Sequence, residues 1–351
     1  MTETAIMLAP ERLRTIFADG VYVFSPEKIP THNAGCLMEG LIELGIPVKT
    51  NALRVTSREA SMPLKDVDLA SLRAPMYQGQ AAYVLDITHT NQYAPVSGLK
   101  TARTAYLTTS DVSIFCKVPD DVLLFTVHES RMARMGGRRV ALGFGLSRST
   151  IDATSNPPPF AHRQRRALRN FRATLNQGLR GMLDLSFVPA LEARIPIDRT
   201  DYVGVDYLPA LLNSQLCLAY GGDFFSALQT NPYLAKAQPQ IVEIHRFKHL
   251  NAPAVIMRWD SWRFWESLAA GCLTVHLDFD ASGFTLPVMP KPWVHYAPLD
   301  LFDLKGSLEQ LMDREREWAA IAERGREWAL AHYAPVPTAS YMLSEIFAAY
   351  S

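Results

Sequence analysis

Cysteine is sparse in this chain of 351 residues, and the four present, Cys36, Cys116, Cys217 and Cys272, are far apart. No Cys-x-x-Cys pair and no His-rich pair accompanies them, so neither a zinc site nor a disulfide framework is indicated. Cys217 and Cys272 stand in apolar runs and read as ordinary core residues. No apolar run approaches the roughly 18 residues that a membrane-spanning helix needs. A basic segment followed by an apolar core is missing at the N-terminus, so no secretory signal is expected and cytoplasmic residence is the default. Charge of one sign is not in excess: Lys plus Arg and Asp plus Glu each number 35. That balance argues against general nucleic-acid binding, and no nucleic acid is expected as a partner, although it leaves room for a local basic patch. Internal repeats and low-complexity tracts are absent as well.

What is present is apolar material. Hydrophobic residues make up 48% of the chain, enough for substantial cores and too much for a disordered protein. The length favours two domains or one large α/β domain. In the first half, short apolar runs suit buried strands: Gly20 to Phe24, Ile46 to Thr50, Ala81 to Ile87, Thr104 to Thr108, Val122 to Val127 and Val140 to Phe144. Ser25 to His32 is a loop, Asn33 caps a predicted helix through Leu44, and Gly45 ends it. This rhythm predicts a parallel sheet with covering helices.

Ser155-Asn-Pro-Pro-Pro159 breaks the rhythm, because three prolines suit neither a helix interior nor a central strand. It reads as a linker, with a surface loop as the alternative. A helix is expected from His162 to Leu185, with Leu168, Phe171, Leu175, Leu179 and Met182 as its apolar stripe. Arg165, Arg169, Arg172 and Arg180 fall mostly on another face, which is either solvated or meets phosphates or an anionic membrane surface. Next come a short helix over Tyr202 to Leu212 and a strand over Gln215 to Tyr220, closed by Gly221-Gly222-Asp223. A late strand is expected at Trp293 to Ala297 and a charged helix from Lys305 to His332. Pro335 and Pro337 interrupt that helix, and a final one covers Thr338 to Tyr350.

The most informative stretch runs from Arg258 to Asp278. It reads as a polar loop, a helix opening near Ser261, a tight turn at Gly271 and a buried strand from Leu273 to Leu277. Ser261, Arg263 and Glu266 cluster at the helix start, where orphan N–H groups and the positive dipole end favour anions. Ala269, Ala270 and Gly271 let the helix lie close to a sheet. The pattern resembles the donor-sugar-nucleotide element of GT-B type glycosyltransferases of the group 1 and exostosin-like kind: Ser-x-Arg-x-x-Glu, then Ala-x-Gly-Cys and a hydrophobic strand. Ser261, Arg263, Glu266, Ala269 or Ala270, Gly271 and Cys272 match it position by position. The lead-in Tyr207, Leu211, Ser214, Cys217, Leu218 and Gly221 echoes the exostosin-like members, but about thirty residues then separate Gly222 from Ser261, more than that pattern has. A retaining Glu-x7-Glu pair is absent, since Arg258 holds its first position.

The resemblance implies an α/β fold with two Rossmann-like domains facing across a cleft. Residues 1–155 would form the acceptor domain and 156–334 the nucleotide-sugar domain. Residues 335–351 would be a helix packing back on the first domain. The implied reaction is sugar transfer from a nucleotide-diphosphate donor to the hydroxyl of a glycan or other acceptor, without a metal or further cofactor, possible at the inner face of a membrane. Alternatives within reach are a sugar-nucleotide 2-epimerase of the same fold and a non-catalytic glycan- or nucleotide-binding protein. A carboxylate at Glu266 can accept two ribose hydroxyls, the role of the matching family residue; an Arg263–Glu266 ion pair is the alternative. Ser261 and Arg263 would serve the donor phosphates, with Arg258, Lys248 and Arg246 as further candidates. Gly221 and Gly222 would let the backbone approach a ligand or simply make a tight turn. Inverting enzymes of this fold place a base histidine in the loop after the first strand. That points to His32, with Asn33 and Gly35 in the same acceptor-side loop. His128 and Glu129, at another strand end, are the rivals, and His89 follows. Asp278-Phe-Asp280 has metal-site spacing but follows the Glu-bearing helix, so it reads as a loop. Of Trp259, Trp262 and Trp265, two are expected in the core.

Overall fold

The protein is seen here in a computed structural model. It describes residues 7–25, 30–52, 55, 81–95, 103–111, 113, 116–131, 136–171, 178–224 and 256–351. The chain forms two compact units, Met1–Val127 with Met135–Ser149 and Ala331–Ser351, and His128–Arg134 with Thr150–Leu330.

The first unit carries strands β1 (Val21–Phe24), β2 (Val48–Thr50), β3 (Ala82–Asp86), β4 (Arg103–Thr108), β5 (Leu123–Thr126) and β6 (Arg138–Ala141). They form one sheet in the order β2-β1-β3-β4-β5-β6, with every neighbouring pair parallel. All residues of β1, β3 and β5 are buried, as continuous apolar runs require in a sheet covered on both faces. Helix α1 (Pro10–Ile16) precedes β1, and α2 (His32–Glu43) follows it. The helix after β1 therefore begins at His32, with Thr31 as its N-cap residue. Asn33 and Gly35 lie within its first turns rather than in a loop. Asn33 is completely buried and donates through Nδ2 to the Gly143 carbonyl at 2.8 Å. That bond ties the helix start to the segment after β6, which a capping role would not do. Gly45, at φ 72, ends the helix in the left-handed conformation that glycine tolerates.

The last helix of the chain, Pro335–Tyr350, packs on α2. It starts at Pro335 rather than at Thr338, because proline at the first helical position gives up no needed N–H. Gly40 makes the crossing possible: a Cβ there would land on the Pro335 carbonyl.

The second unit carries β7 (Gln164–Leu168), β8 (Ile197–Asp198), β9 (Ser214–Leu218), β12 (Leu273–Leu277) and β13 (Ala297–Leu299) in the order β13-β12-β9-β7-β8, again all parallel. Between β9 and β12 in sequence, β10 (Asp223–Phe224) pairs antiparallel with β11 (Ile256–Met257). Helices α3 (Arg148–Ala153), α4 (Gly178–Glu192), α5 (Tyr207–Leu212), α6 (Trp262–Ala269), α7 (Leu304–Asp313) and α8 (Trp318–Tyr333) complete the described elements up to the final helix, α9.

Four sequence expectations fail in this unit. His162 closes a short 3-10 turn and Gln164–Leu168 is the strand β7, not a helix; Leu175 and Arg172 lie outside the described residues, and α4 is described over Gly178–Glu192. Pairing on both sides, with β8 and β9, buries Ala167 and Leu168 and overrides the helical spacing of the apolar residues. The arginines do not form a bare stripe either. Arg165 pairs with Glu315, Arg166 with Asp198 and Arg169 with Asp184, while Arg180 lies over the Phe171 ring. The late strand sits at Ala297–Leu299, beyond Trp293, which is in a turn at φ 58. The charged helix is split in two by a short 3-10 turn at Glu315–Glu317.

Candidate functional site

In the second sheet the chain leaves β7 for β8 on one side and returns to β9 on the other. The carboxyl ends of β7 and β9 therefore flank a topological switch point, where open α/β sheets leave a crevice for ligands. Arg169 to Phe171 follows β7, and Ala219 to Gly222 follows β9. Helix α6 begins against both loops. Ser261, its N-cap residue, donates from Oγ to the Ala219 carbonyl at 3.1 Å. The Arg263 Nε donates to the Asn170 carbonyl. Gly221 is obligatory for this approach: a Cβ would stand 2.9 Å from the Arg258 carbonyl oxygen and 3.0 Å from that of Trp259. Gly222 adopts φ 120, a region closed to other residues. Glu266 is buried on the same helix, one turn along. Burial of the Tyr207 phenol, and then the Glu266 charge, raise the Tyr207 pKa well above its ordinary range. Gly221, Gly222, Arg258, Ser261 and Arg263 thus gather at the start of α6, with Glu266 on the same helix beside Tyr207. Arg246 and Lys248 lie outside the described residues.

The segment entering α6 is tightly held. Arg258 has φ 55 and His128 has φ 62, both in the left-handed region that residues with a Cβ rarely enter. Such strain persists only where the surroundings over-determine it. Here the Asp260 amide donates to His128 Nδ1 at 3.2 Å, and the Trp265 Nε1 donates to Asp260 Oδ1 at 2.7 Å. The Trp259 Nε1 donates to the Glu129 carbonyl at 3.2 Å, and the Thr285 amide to the same carbonyl at 3.0 Å. His128 and Glu129 therefore belong to the environment of Arg258 to Ser261. His128 is fully buried, and burial, then the Arg258 charge, pushes its pKa down to about 3. With Nδ1 accepting from an amide, the ring N–H sits on Nε2, and burial keeps this imidazole neutral and a weak base.

His32 opens α2 in the first unit, at the carboxyl end of β1, which is flanked by β2 and β3. Its Nε2 donates to the Gly145 carbonyl at 3.3 Å, which leaves Nδ1 as the accepting nitrogen. Beside it, Thr31 Oγ1 donates to Asp86 Oδ2 at 2.6 Å. His89 lies in the turn after β3.

Trp259 and Trp265 are core residues with no exposure, whereas Trp262 is 39% exposed. The Cys272 thiol is buried, donates to the Leu211 carbonyl at 3.2 Å, and is pushed by burial up to about 12, so it is no nucleophile. Asp278 Oδ1 caps its own turn by accepting from the Ala281 amide at 2.9 Å, and Asp280 faces Arg131 at 3.5 Å. Among the described residues no cluster of His, Cys, Asp and Glu could hold a metal ion, and no helix is long and apolar enough to cross a membrane. Sequence reasoning missed Asp260, Asn170 and His276. A histidine inside an otherwise apolar strand was the one available signal.

No family model and no curated protein sequence matches the chain. Solved structures do. An alpha-glucosyltransferase in complex with UDP superposes with a TM-score of 0.52 at 10% identity, covering 93% of this chain and 99% of that one. The alpha-glucosyltransferase in complex with UDP-glucose and DNA containing an abasic site gives 0.51 at 10% identity, over 93% and 98% of the two chains. Anabaena HepE in complex with UDP-glucose gives 0.41 at 12% identity, over 94% and 99%. The chain accordingly has the α/β fold of GT-B glycosyltransferases, with two parallel sheets and their helices. The expectation of no nucleic-acid partner is corrected by the same finding, because a protein of this fold is solved on DNA. Net charge averages over the whole surface, and phosphate contacts need only a local set of donors.

Proposed function

We propose that this protein is a glycosyltransferase that moves a sugar from a nucleoside-diphosphate donor to an acceptor hydroxyl. The observation carrying the proposal is the convergence of Ser261, Arg263 and Glu266 with the Gly221-Gly222 turn at the switch point of the second sheet. Glu266 would accept the two ribose hydroxyls. The start of α6, with Ser261 and Arg263, would face the diphosphate and stabilise its charge as the donor bond breaks. Arg258, at the head of the loop, would add positive charge there. The leaving-group charge would then be met by side chains and helix N–H groups, without a metal. Tyr207 OH and Asn170 Oδ1 have no partner among the described residues, and a bound ligand would satisfy them. Proton removal from the acceptor is assigned to His32 through Nδ1, with Glu129 as the rival carboxylate. The acceptor would be a hydroxyl of a glycan or, by the fold's precedent, of modified DNA. Four free, buried cysteines favour a reducing, cytoplasmic setting.

Calorimetric titration with UDP, GDP, dTDP and CMP, on wild type and Glu266→Ala, tests the reading. One nucleotide should bind, and Glu266→Ala should weaken it by about 1.5–3 kcal/mol. No binding by any of the four would remove the donor site from Arg258 to Glu266.

A further inference from the structure

The middle of β12 holds a histidine, His276, with no exposure at all, in a strand otherwise made of Leu273, Thr274, Val275 and Leu277. Its ring is boxed in by Phe264 at 4.9 Å, Phe279 at 5.0 Å and Phe284 at 6.1 Å between centroids. A polar ring in such a box must answer a specific need, since burying it unpaired is costly. It reaches two carbonyls, that of Leu277 from Nδ1 and that of Trp259 from Nε2, each at 3.1 Å. Leu277 is its own chain neighbour. Trp259 is not: it belongs to the segment that leads into α6, and its carbonyl has no other donor among the described residues.

We propose that His276 is a positioning residue, whose Nε2–H holds the Trp259 carbonyl and thereby fixes Arg258 to Ser261 at the donor site. This rests on the donor-site reading given above. The segment has one anchor at each step. The Trp259 ring stacks on Phe284 at 4.5 Å and its Nε1 holds the Glu129 carbonyl. The Asp260 amide is held by His128 and its carboxylate by Trp265, and Ser261 is held by Ala219. Two carbonyls of this segment face Gly221, those of Arg258 and Trp259, and among the described residues His276 is the donor that meets the second. Without that donor, the peptide between Trp259 and Asp260 is held on its amide side alone, by His128, and the strained Arg258 beside it loses one of its restraints. Burial pushes the His276 pKa down to about 4, so near neutral pH the ring has one N–H to give.

Two variants separate positioning from bulk. His276→Leu keeps volume and removes the donor. His276→Gln can return an N–H near the place of Nε2. For UDP as the probe, His276→Leu should weaken binding on the order of tenfold and raise the donor KM more than it lowers kcat. His276→Gln should recover most of that loss. The second readout is the 15N spectrum of wild type, in which the Nε2–H tautomer is expected. Equal UDP affinity in wild type and both variants, equal losses in both variants, or an Nδ1–H tautomer overturns the proposal while leaving the donor site standing. Failure of wild type to bind any nucleoside diphosphate would instead remove the donor site and this proposal together.

Discussion

Lowering the pH from 7 to 5 should destabilise the second unit sharply, through two histidines rather than through carboxylates. His128 and His276 are both fully buried, with pKa values pushed down from 6.5 to about 3 and about 4. In the unfolded chain both return to 6.5, so the unfolded state takes up protons first as the pH falls. Stability is therefore full above pH 6.5 and declines below it, levelling off only when the folded rings protonate near pH 4 and below. Each ring costs about 2 kcal/mol between pH 7 and 5, and the pair about 4 kcal/mol. That is a large part of the 5–15 kcal/mol that holds a typical domain. Asp198 and Glu315 have lowered pKa values, so their contributions are lost only below the ordinary carboxylate range, outside this window. Glu345 is raised by burial and works in the opposite sense, but it lies on the last helix, in the first unit. Urea unfolding followed by tryptophan fluorescence at several pH values gives the slope. His276→Gln should reduce the loss by about half, because one of the two proton-uptake sites is gone. A loss under about 1 kcal/mol between pH 7 and 5, or an undiminished loss in the variant, would show that the buried imidazoles are not the cause.

Other outcomes follow from close approaches. Gly221→Ala forces a methyl against two carbonyls and should raise the donor KM about tenfold or more, while costing about 1–3 kcal/mol of stability; steady-state kinetics and urea titration read the two. Gly40→Ala would push the last helix off α2 and should cost about 3 kcal/mol or more, lowering the urea midpoint of the first unit. Arg163 donates from NH1 to the Gly271 carbonyl at 2.8 Å and from Nε to the Pro158 carbonyl at 3.0 Å. Arg163→Met should leave both unmet and cost about 1–3 kcal/mol, read by thermal unfolding; no change would mean that water replaces the guanidinium fully.

Much of the fold is local in origin. Five apolar runs of the first half became β1 to β5 within a residue or two, since a strand covered on both faces, as β1, β3 and β5 are, reads as uninterrupted hydrophobicity; the sixth, expected at Val140 to Phe144, is instead the partly exposed Arg138–Ala141. The Ser261 to Gly271 element was equally legible, since a helix start, small residues and a φ 68 turn at Gly271 each have a short-range signature. Where the reading failed, the deciding partner was distant in sequence. Gln164–Leu168 carries helical spacing but is a strand, because β8 and β9 offer hydrogen bonds on both edges. Asn33 looks like a cap and is a buried tie to Gly143, more than a hundred residues away in the chain. His128 looked like a base, and what the sequence did not show is its burial beside Arg258 and its bond from the Asp260 amide, which weaken its basicity. The sequence by itself determined the two-sheet α/β class and the residue types at the proposed donor site. Which side chains touch the segment entering α6, such as His276 at the Trp259 carbonyl, was decided by tertiary packing, because a hydrogen bond reports the geometry of both partners and one strand's sequence contains only one of them.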